Sequence, residues 1–349
     1  MGIHFILAFH PNTKAMVVDI LRTSSYLDKT IIPTMISLSK IKGIGSAWFK
    51  QRREVLITHF SDQNEHDFFD LALAFLAKEK KNISQNDFQN LFNEAEATLA
   101  DCSSAGISVS SLLDEGYPAQ LCDLKDPPPI IYTRGNVGTL KKALAVIGTR
   151  QPDSTGKIIA QRVGQYFQEQ GWSICNGLAE GIDLCTLQRD EHSYLPNSIG
   201  ILACGLDFEH GSSARQAASI AESILSADGL LLSEQEPSQK ADTYKIIASC
   251  RLQAGVSRGL ILIQSSKSGG SKFALQRTAE LKRPIGVIYP PPAKYDLIEY
   301  EANRLISEQG VNGLKSIFLG GKPEARIDAA QQLIVIKSKE GYNEFQALL

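Results

Sequence analysis

Four segments of this sequence place glycine, short hydroxyl or amide side chains and cations directly after short apolar runs. They are Gly148-Thr149-Arg150, Asn176-Gly177-Leu178-Ala179-Glu180-Gly181-Ile182-Asp183, Cys204-Gly205-Leu206-Asp207, and the stretch from Gln264 through Ser268-Gly269-Gly270-Ser271-Lys272. The chemistry open to such a set is the holding of an anion. Glycine leaves backbone amides bare, hydroxyls donate short hydrogen bonds, and a cation supplies a charge-assisted partner. Taken singly, each loop is equally well explained as a sharp turn that glycine permits. Taken together on one edge of a sheet, the loops point to a phosphate-rich ligand. The residues expected to hold it are Gly148, Thr149, Arg150, Asn176, Gly177, Arg251, Lys267, Ser268, Gly269, Gly270, Ser271 and Lys272.

Other chemistries find less support. The dinucleotide fingerprint GxGxxG is missing after the first of these runs, where Arg150 stands close to the position of the second glycine. No GxxxxGK[ST] pattern occurs, which argues against NAD and ATP hydrolysis. No GxSxG marks a nucleophile, the histidines avoid these loops, and the cysteines form no CxxC pair, so neither a catalytic residue, a cofactor nor a metal is expected.

The loops need elements to position them. Strands are expected at Ala143–Ile147, Trp172–Cys175, Ile199–Ala203, Leu230–Leu232, Leu260–Ile263 and Ile285–Tyr289, with a shorter one at Ile130–Tyr132. Helices are expected between them at Gly156–Gln170, Ile182–Asp190, Ser212–Leu225, Tyr244–Ala254, Lys272–Leu281 and Glu299–Gln309. Apolar strands alternating with helices specify an α/β, Rossmann-like, mainly parallel sheet with helices on both faces. In such a sheet ligands sit beyond the carboxyl ends of the strands, where helix N-termini point their free amides. The helix beginning near Gly156 is expected to add its dipole to Arg150, which otherwise braces the turn through Asp153.

Before the sheet, residues from about Ser25 to Leu99 carry apolar positions at helical spacing, as in Phe68 to Leu76 and Phe88 to Leu99. Within them, Leu38-Ser39-Lys40-Ile41-Lys42-Gly43-Ile44-Gly45 suits the turn of a helix-hairpin-helix in a small helical, SAM-like domain. Lys42, Gly43 and Gly45 are a candidate secondary contact to a DNA phosphate, supported by Lys40, Lys50, Arg52 and Arg53, or else the turn only packs. The expected division is a helical domain over 1–105, a Rossmann-like core over 106–320, and a short C-terminal extension over 321–349 with one strand-like run at Leu333–Lys337.

Composition sets the limits. The formal net charge is −2, so nucleic acid would have to be met by a local patch rather than by a global field. The six cysteines, two of them inside apolar runs, read as reduced thiols. No apolar run approaches the roughly 20 residues of a membrane span, and the N-terminus lacks the features of a cleaved leader. A soluble cytoplasmic protein is expected.

The loops also carry a resemblance. Val146-Ile147-Gly148-Thr149-Arg150 resembles the VGxR run of the DprA/Smf family, and Cys175 to Asp183 resembles its SGLAxGID. Gly205-Leu206-Asp207, Ser233-Glu234 with Pro237, Ser249 to Ser257, Lys267-Ser268-Gly269-Gly270-Ser271, and Asn303-Arg304-Leu305-Ile306 before Gly310 follow in the family's order. The likeness extends over roughly Tyr117 to Gly310, and the helical region before it fits the family's N-terminal module. Three departures stand out: Ser249 and Cys250 replace the first two residues of the family's Arg-Asn-Arg, Thr186-Leu187 replaces its Ala-His, and Asp153 replaces a serine. What the resemblance implies is a non-catalytic protein that binds single-stranded DNA, dimerises, and delivers a RecA-type recombinase to the strand, or a specialised defence or antitoxin-type relative. Two alternatives use the same fold. A phosphoribohydrolase would need the glutamate of PGGxGTxxE, where this chain has Gln276, a side chain unable to exchange protons. A sensor of small nucleotides would use the same phosphate loops.

Overall fold

The computed structural model describes residues 27–61, 68–190, 193–208, 215–318, 327 and 330–349. Met1 to Tyr26, the expected helix start at Ser212, and the Gly320-Gly321 boundary lie outside the described residues. The chain divides into two compact units, Met1–Ala97 and Thr98–Leu349.

The first unit is helical where it is described, with α1 (Leu27–Lys40), α2 (Ser46–Ser61), α3 (Phe68–Lys78) and the start of α4 (Gln85–Ser104), which runs across the division. Its core is aromatic and aliphatic: Met35, Phe49, Leu56, Phe75, Leu76 and Phe88 are buried, and the Trp48 ring meets Phe49 and Phe75 edge-on. The expected glycine turn joins α1 to α2. Gly43 takes φ +81°, a conformation that favours glycine. Ile44 is buried while Lys42, Gly43 and Gly45 are exposed.

The second unit is a nine-stranded sheet among the described residues, in the order β1-β2-β6-β5-β4-β3-β7-β8-β9. The strands are β1 (Ser108–Ser111), β2 (Ile130–Gly135), β3 (Ala143–Ile147), β4 (Ser173–Asn176), β5 (Ile199–Leu202), β6 (Leu230–Ser233), β7 (Leu260–Leu262), β8 (Ile285–Ile288) and β9 (Leu333–Ile336). All neighbours from β6 across to β9 are parallel, while β2 runs antiparallel to both β1 and β6. Strands β3 to β8 are buried throughout, which explains why they read as continuous apolar runs rather than as alternating ones.

The connecting helices are α5 (Ser154–Glu169), α6 (Ile182–Leu187), α7 (Arg215–Ser226), α8 (Thr243–Val256), α9 (Ser271–Glu280), α10 (Glu301–Gln309) and α11 (Val311–Phe318), and α12 (Lys339–Gln346) follows β9. Right-handed crossovers put the helices of the outward run β3 to β6 on one face and those of the run β6 to β9 on the other. On the second face Ala145, Leu260, Leu262 and Val287 pack against Leu275, Ile306 and Leu314 of α9, α10 and α11.

Strand β1 and helices α11 and α12 are not among the expected elements, and two others differ from the sequence reading. The helix expected over Ile182–Asp190 stops at Leu187, because Gln188 turns extended and bridges Tyr194. The strand-like run at Leu333, expected within a short C-terminal extension, pairs in parallel with β8 and carries the sheet one strand further. An edge strand of four residues is too short to be stable alone and is held by that pairing.

Candidate nucleic-acid interface

The chain leaves β3 in one direction across the sheet and returns to β7 on its other side, so β3 and β7 flank the point where the strand order reverses. At such a point the loops diverge and leave a crevice. A cavity of about 930 Å³ occupies it. Its walls are Gly148 to Gln151 after β3, Gly177 to Glu180 after β4, Ala203 and Cys204 after β5, and Ser265, Ser266 and Gly269 to Ser271 after β7. All four segments singled out in the sequence meet there.

The backbone is held by two buried asparagines that lie outside the cavity lining and by Asp183, which is part of it. Asn176 is fully buried; its Nδ2 donates to the Asp183 carbonyl at 2.9 Å and its Oδ1 accepts from the Leu178 amide at 3.1 Å. Asp183 Oδ2 accepts from the amides of Gly177 and Ala179 at 3.1 and 3.3 Å. Burial pushes the Asp183 carboxyl up to about 7, against those two amides and the nearby Arg150, which pull it down. Asn303, also fully buried, donates to the carbonyls of Ile263 and Ile288 and accepts from the Ser265 amide at 3.0 Å. It thereby ties the ends of β7 and β8 to the loop that follows β7. Gly181 lets two loops touch: its φ is +88°, and a Cβ there would stand 2.5 Å from the Arg150 backbone.

Arg150 is exposed on the cavity wall and makes no hydrogen bond or ion pair among the described residues. The alternative expected for it, a bridge to Asp153, is not formed. Asp153 Oδ2 instead pairs with Lys294 at 2.8 Å, and Oδ1 accepts from the Gly156 amide at 2.7 Å. That bond also caps α5, so the helix N-terminus expected to assist Arg150 is already satisfied by a carboxylate. Gly148 has a different reason from close approach of a ligand: a Cβ there would lie 2.5 Å from the Ile182 side chain. At the start of α9 no side chain caps the helix, and a Cβ at Gly270 would meet nothing within 4 Å.

Five expected site residues lie outside the cavity lining: Asn176, Arg251, Lys267, Ser268 and Lys272. Arg251 is buried and lies outside the cavity lining, with its guanidinium bonded to both oxygens of Glu234. Lys267 and Ser268 are exposed beside the lining residues, and Lys272 lies over the Phe273 ring at 5.4 Å. Conversely, Thr243, Ile246, Ile247 and Gln253 of α8 form a wall that was not anticipated, beside Ser249 and Cys250, which the resemblance marks as pocket positions. Phe273, which adjoins the Ser271 loop, lines the cavity as well. A pointer existed: Ile246 and Ile247 interrupt the polar face expected of a surface helix, and each is 38% exposed. Around the Gly43 turn of the first unit, Lys40 pairs with Glu94, Arg52 with Glu79 and Arg53 with Glu54.

Gln276, in the place of a hydrolase glutamate, donates to Glu280 on its own helix at 3.1 Å and does not line the cavity. Among the described residues no group of three His, Cys, Asp or Glu side chains is arranged to hold a metal ion. None of their helices is long and apolar enough to cross a membrane.

A sequence model of the family described as DNA recombination-mediator protein A matches residues 108–315. The DNA processing protein DprA of Bacillus subtilis is 26% identical over 215 residues, 60% of this chain and 71% of that protein. The DprA of Streptococcus pneumoniae is 28% identical over 57% of this chain and 68% of its own length. Protein Smf of Synechocystis is 28% identical, and the match spans 43% of that longer protein. Among solved structures, DNA processing protein A from Helicobacter pylori, described for its single-stranded DNA binding mode, aligns with a TM-score of 0.50 at 25% identity over 58% of this chain and 89% of its own. DprA from Streptococcus pneumoniae shares the fold with a TM-score of 0.55 at 22% identity, covering 84% of this chain and 94% of that one.

Proposed function

This chain belongs to the DNA recombination-mediator protein A family, the DprA/Smf proteins, and from that premise we propose that it binds single-stranded DNA without cleaving or modifying it. The observation that carries the reading is the cavity at the reversal of strand order, where the loops after β3, β4, β5 and β7 converge beside an arginine that makes no hydrogen bond or ion pair among the described residues. Phosphates bind to Arg150, to the hydroxyls of Thr149 and Ser271, and to the amide of Gly270, with Lys267 and Lys272 as counter-charges nearby. The Gly177 and Gly269 amides, expected as contacts, are taken by Asp183 and by the Ser266 carbonyl. Phe273, Ile246 and Ile247 give the same cavity an apolar wall against which bases pack. Binding of this kind is sequence-tolerant and weakens with salt. Arg251 and Asn176, expected as ligand contacts, act here by holding the loops.

The absence of catalysis is part of the same reading, supported by Gln276 turning to Glu280 rather than into the cavity. The recombinase partner and the homodimer come from the family likeness alone. The Gly43 turn is a weaker contact, since three of its neighbouring cations are already paired.

The test is a length series of oligo-dT against mononucleotides at two salt concentrations. Affinity that grows with strand length and falls with salt supports the reading. Equal affinity for a mononucleotide and a long strand would favour a nucleotide sensor instead.

A further inference from the structure

A second cavity, of about 590 Å³, opens at the carboxyl ends of β8 and β9 and runs along α5. Arg162, Lys337 and Lys339 line it, and Glu169 is the one carboxylate among the lining residues. None of the three cations forms an ion pair among the described residues, and all are exposed. Three tyrosines share the lining. Lys337 sits over the Tyr289 ring at 5.0 Å and Lys339 over the Tyr166 ring at 5.8 Å, while Tyr166 and Tyr342 have ring centroids 4.9 Å apart. Half-buried aromatic faces beside unpaired cations match the two groups of a nucleotide, a flat base and a phosphate.

We propose that this groove between α5 and the β8–β9 edge is a second binding site for single-stranded nucleic acid, continuing the strand held at the first cavity. The inference rests on the proposed function above. A strand is favoured over a free nucleotide because both cavities open on the carboxyl edge of one sheet. From β3 to β9 is three strand spacings, about 14 Å at roughly 4.8 Å each, a span that an extended strand of a few nucleotides bridges. Both lysines of the groove, with Ile336, Ser338 and Tyr342, lie beyond the segment 108–315 that carries the family match. The site is therefore assigned from this chain's own residues.

The test compares the full chain with the doubly substituted Lys337→Glu, Lys339→Glu protein on oligo-dT of about 6 and about 20 nucleotides, within the range of single-strand site sizes. Both lysines are exposed, so folding is checked only by a matched melting temperature. The expected result is a loss of about tenfold or more on the long strand with a shallower salt dependence, and little change on the short one. Unchanged affinity for both lengths overturns the proposal, and so does an equal loss on both, which marks a general electrostatic effect. A change of mass in light scattering with DNA affinity intact assigns the groove to contact between copies of the chain. If the unsubstituted chain binds neither strand, the proposed function itself fails, and this inference with it.

Discussion

Arg251 and Glu234 meet through two parallel hydrogen bonds, Nη1 to Oε1 at 2.7 Å and Nη2 to Oε2 at 2.5 Å, with the arginine side chain only 8% exposed. The Arg251 Nε also donates to the Asp126 carbonyl at 3.2 Å. The pair joins α8, which forms one wall of the cavity, to the residue that follows β6.

Removing one partner of a buried ion pair strands the other. Arg251→Ala is therefore expected to cost about 3–5 kcal/mol of stability, with part of the loss recovered when Glu234→Ala is added. Thermal unfolding of the two single variants and the double variant measures the coupling. Well below its melting temperature the Arg251→Ala protein should still bind oligo-dT. Unchanged stability with lost binding would return Arg251 to the list of ligand contacts.

Arg150 should behave in the opposite way. With no hydrogen bond or ion pair to lose among the described residues, Arg150→Ala is expected to leave the melting temperature within about a degree of the parent's, on the scale of a neutral surface substitution. Oligo-dT binding should weaken by about 1–3 kcal/mol, the worth of a charge-assisted contact, and the salt slope should fall by about one counterion. Arg150→Lys should restore the charge but little of the paired geometry.

The Asp183 carboxyl gives a pH dependence with a definite sign. Its ordinary value of 3.8 rises to about 7 in the folded protein through burial. Between those values the folded state holds a proton that the unfolded chain has released, so this group's contribution to stability falls as pH rises through the window and is least above 7. Protonation also removes a negative charge from the lining of the proposed phosphate site. Oligo-dT affinity is expected to rise as pH falls from 8 to 6, and Asp183→Asn should flatten that profile. The neighbouring thiols of Cys175 and Cys250, pushed up by burial to about 12 and about 11, stay protonated throughout. A parent and a variant with the same slope would assign the titration to another group.

Asn303 holds three backbone groups at the ends of β7 and β8. Asn303→Ala leaves them buried without partners, at about 1–3 kcal/mol for each group that finds no substitute. Melting should fall by several degrees, and oligo-dT affinity should fall with it because the Ser265 loop loses its anchor. Hydrogen exchange at the amides from Ser265 to Ser271 would register the loosening directly.

The sequence by itself determined the buried strands β3 to β8 and the edge of the sheet at which the four glycine-bearing loops gather. Strands β3 to β8 are buried on both faces, and an unbroken apolar run such as Ala143–Ile147 encodes that directly. A glycine-rich turn such as Gly148-Thr149-Arg150 records where such a strand ends. Which of the marked residues line the cavity was decided only by tertiary structure. A sequence does not say that Asp153 turns to cap its own helix and pair with Lys294, or that Arg251 finds Glu234 seventeen residues away. Nor does it say that Gly148 is small because Ile182 packs against it. Each of these depends on a partner distant in the chain, and a residue type is compatible with either outcome. The α8 wall escaped for the same reason. Its isoleucines look like core residues until the crossover from β6 to β7 carries the helix past the open end of the sheet. The edge strand β9 is similar: four apolar residues specify a strand only when β8 offers a parallel neighbour to complete their hydrogen bonds.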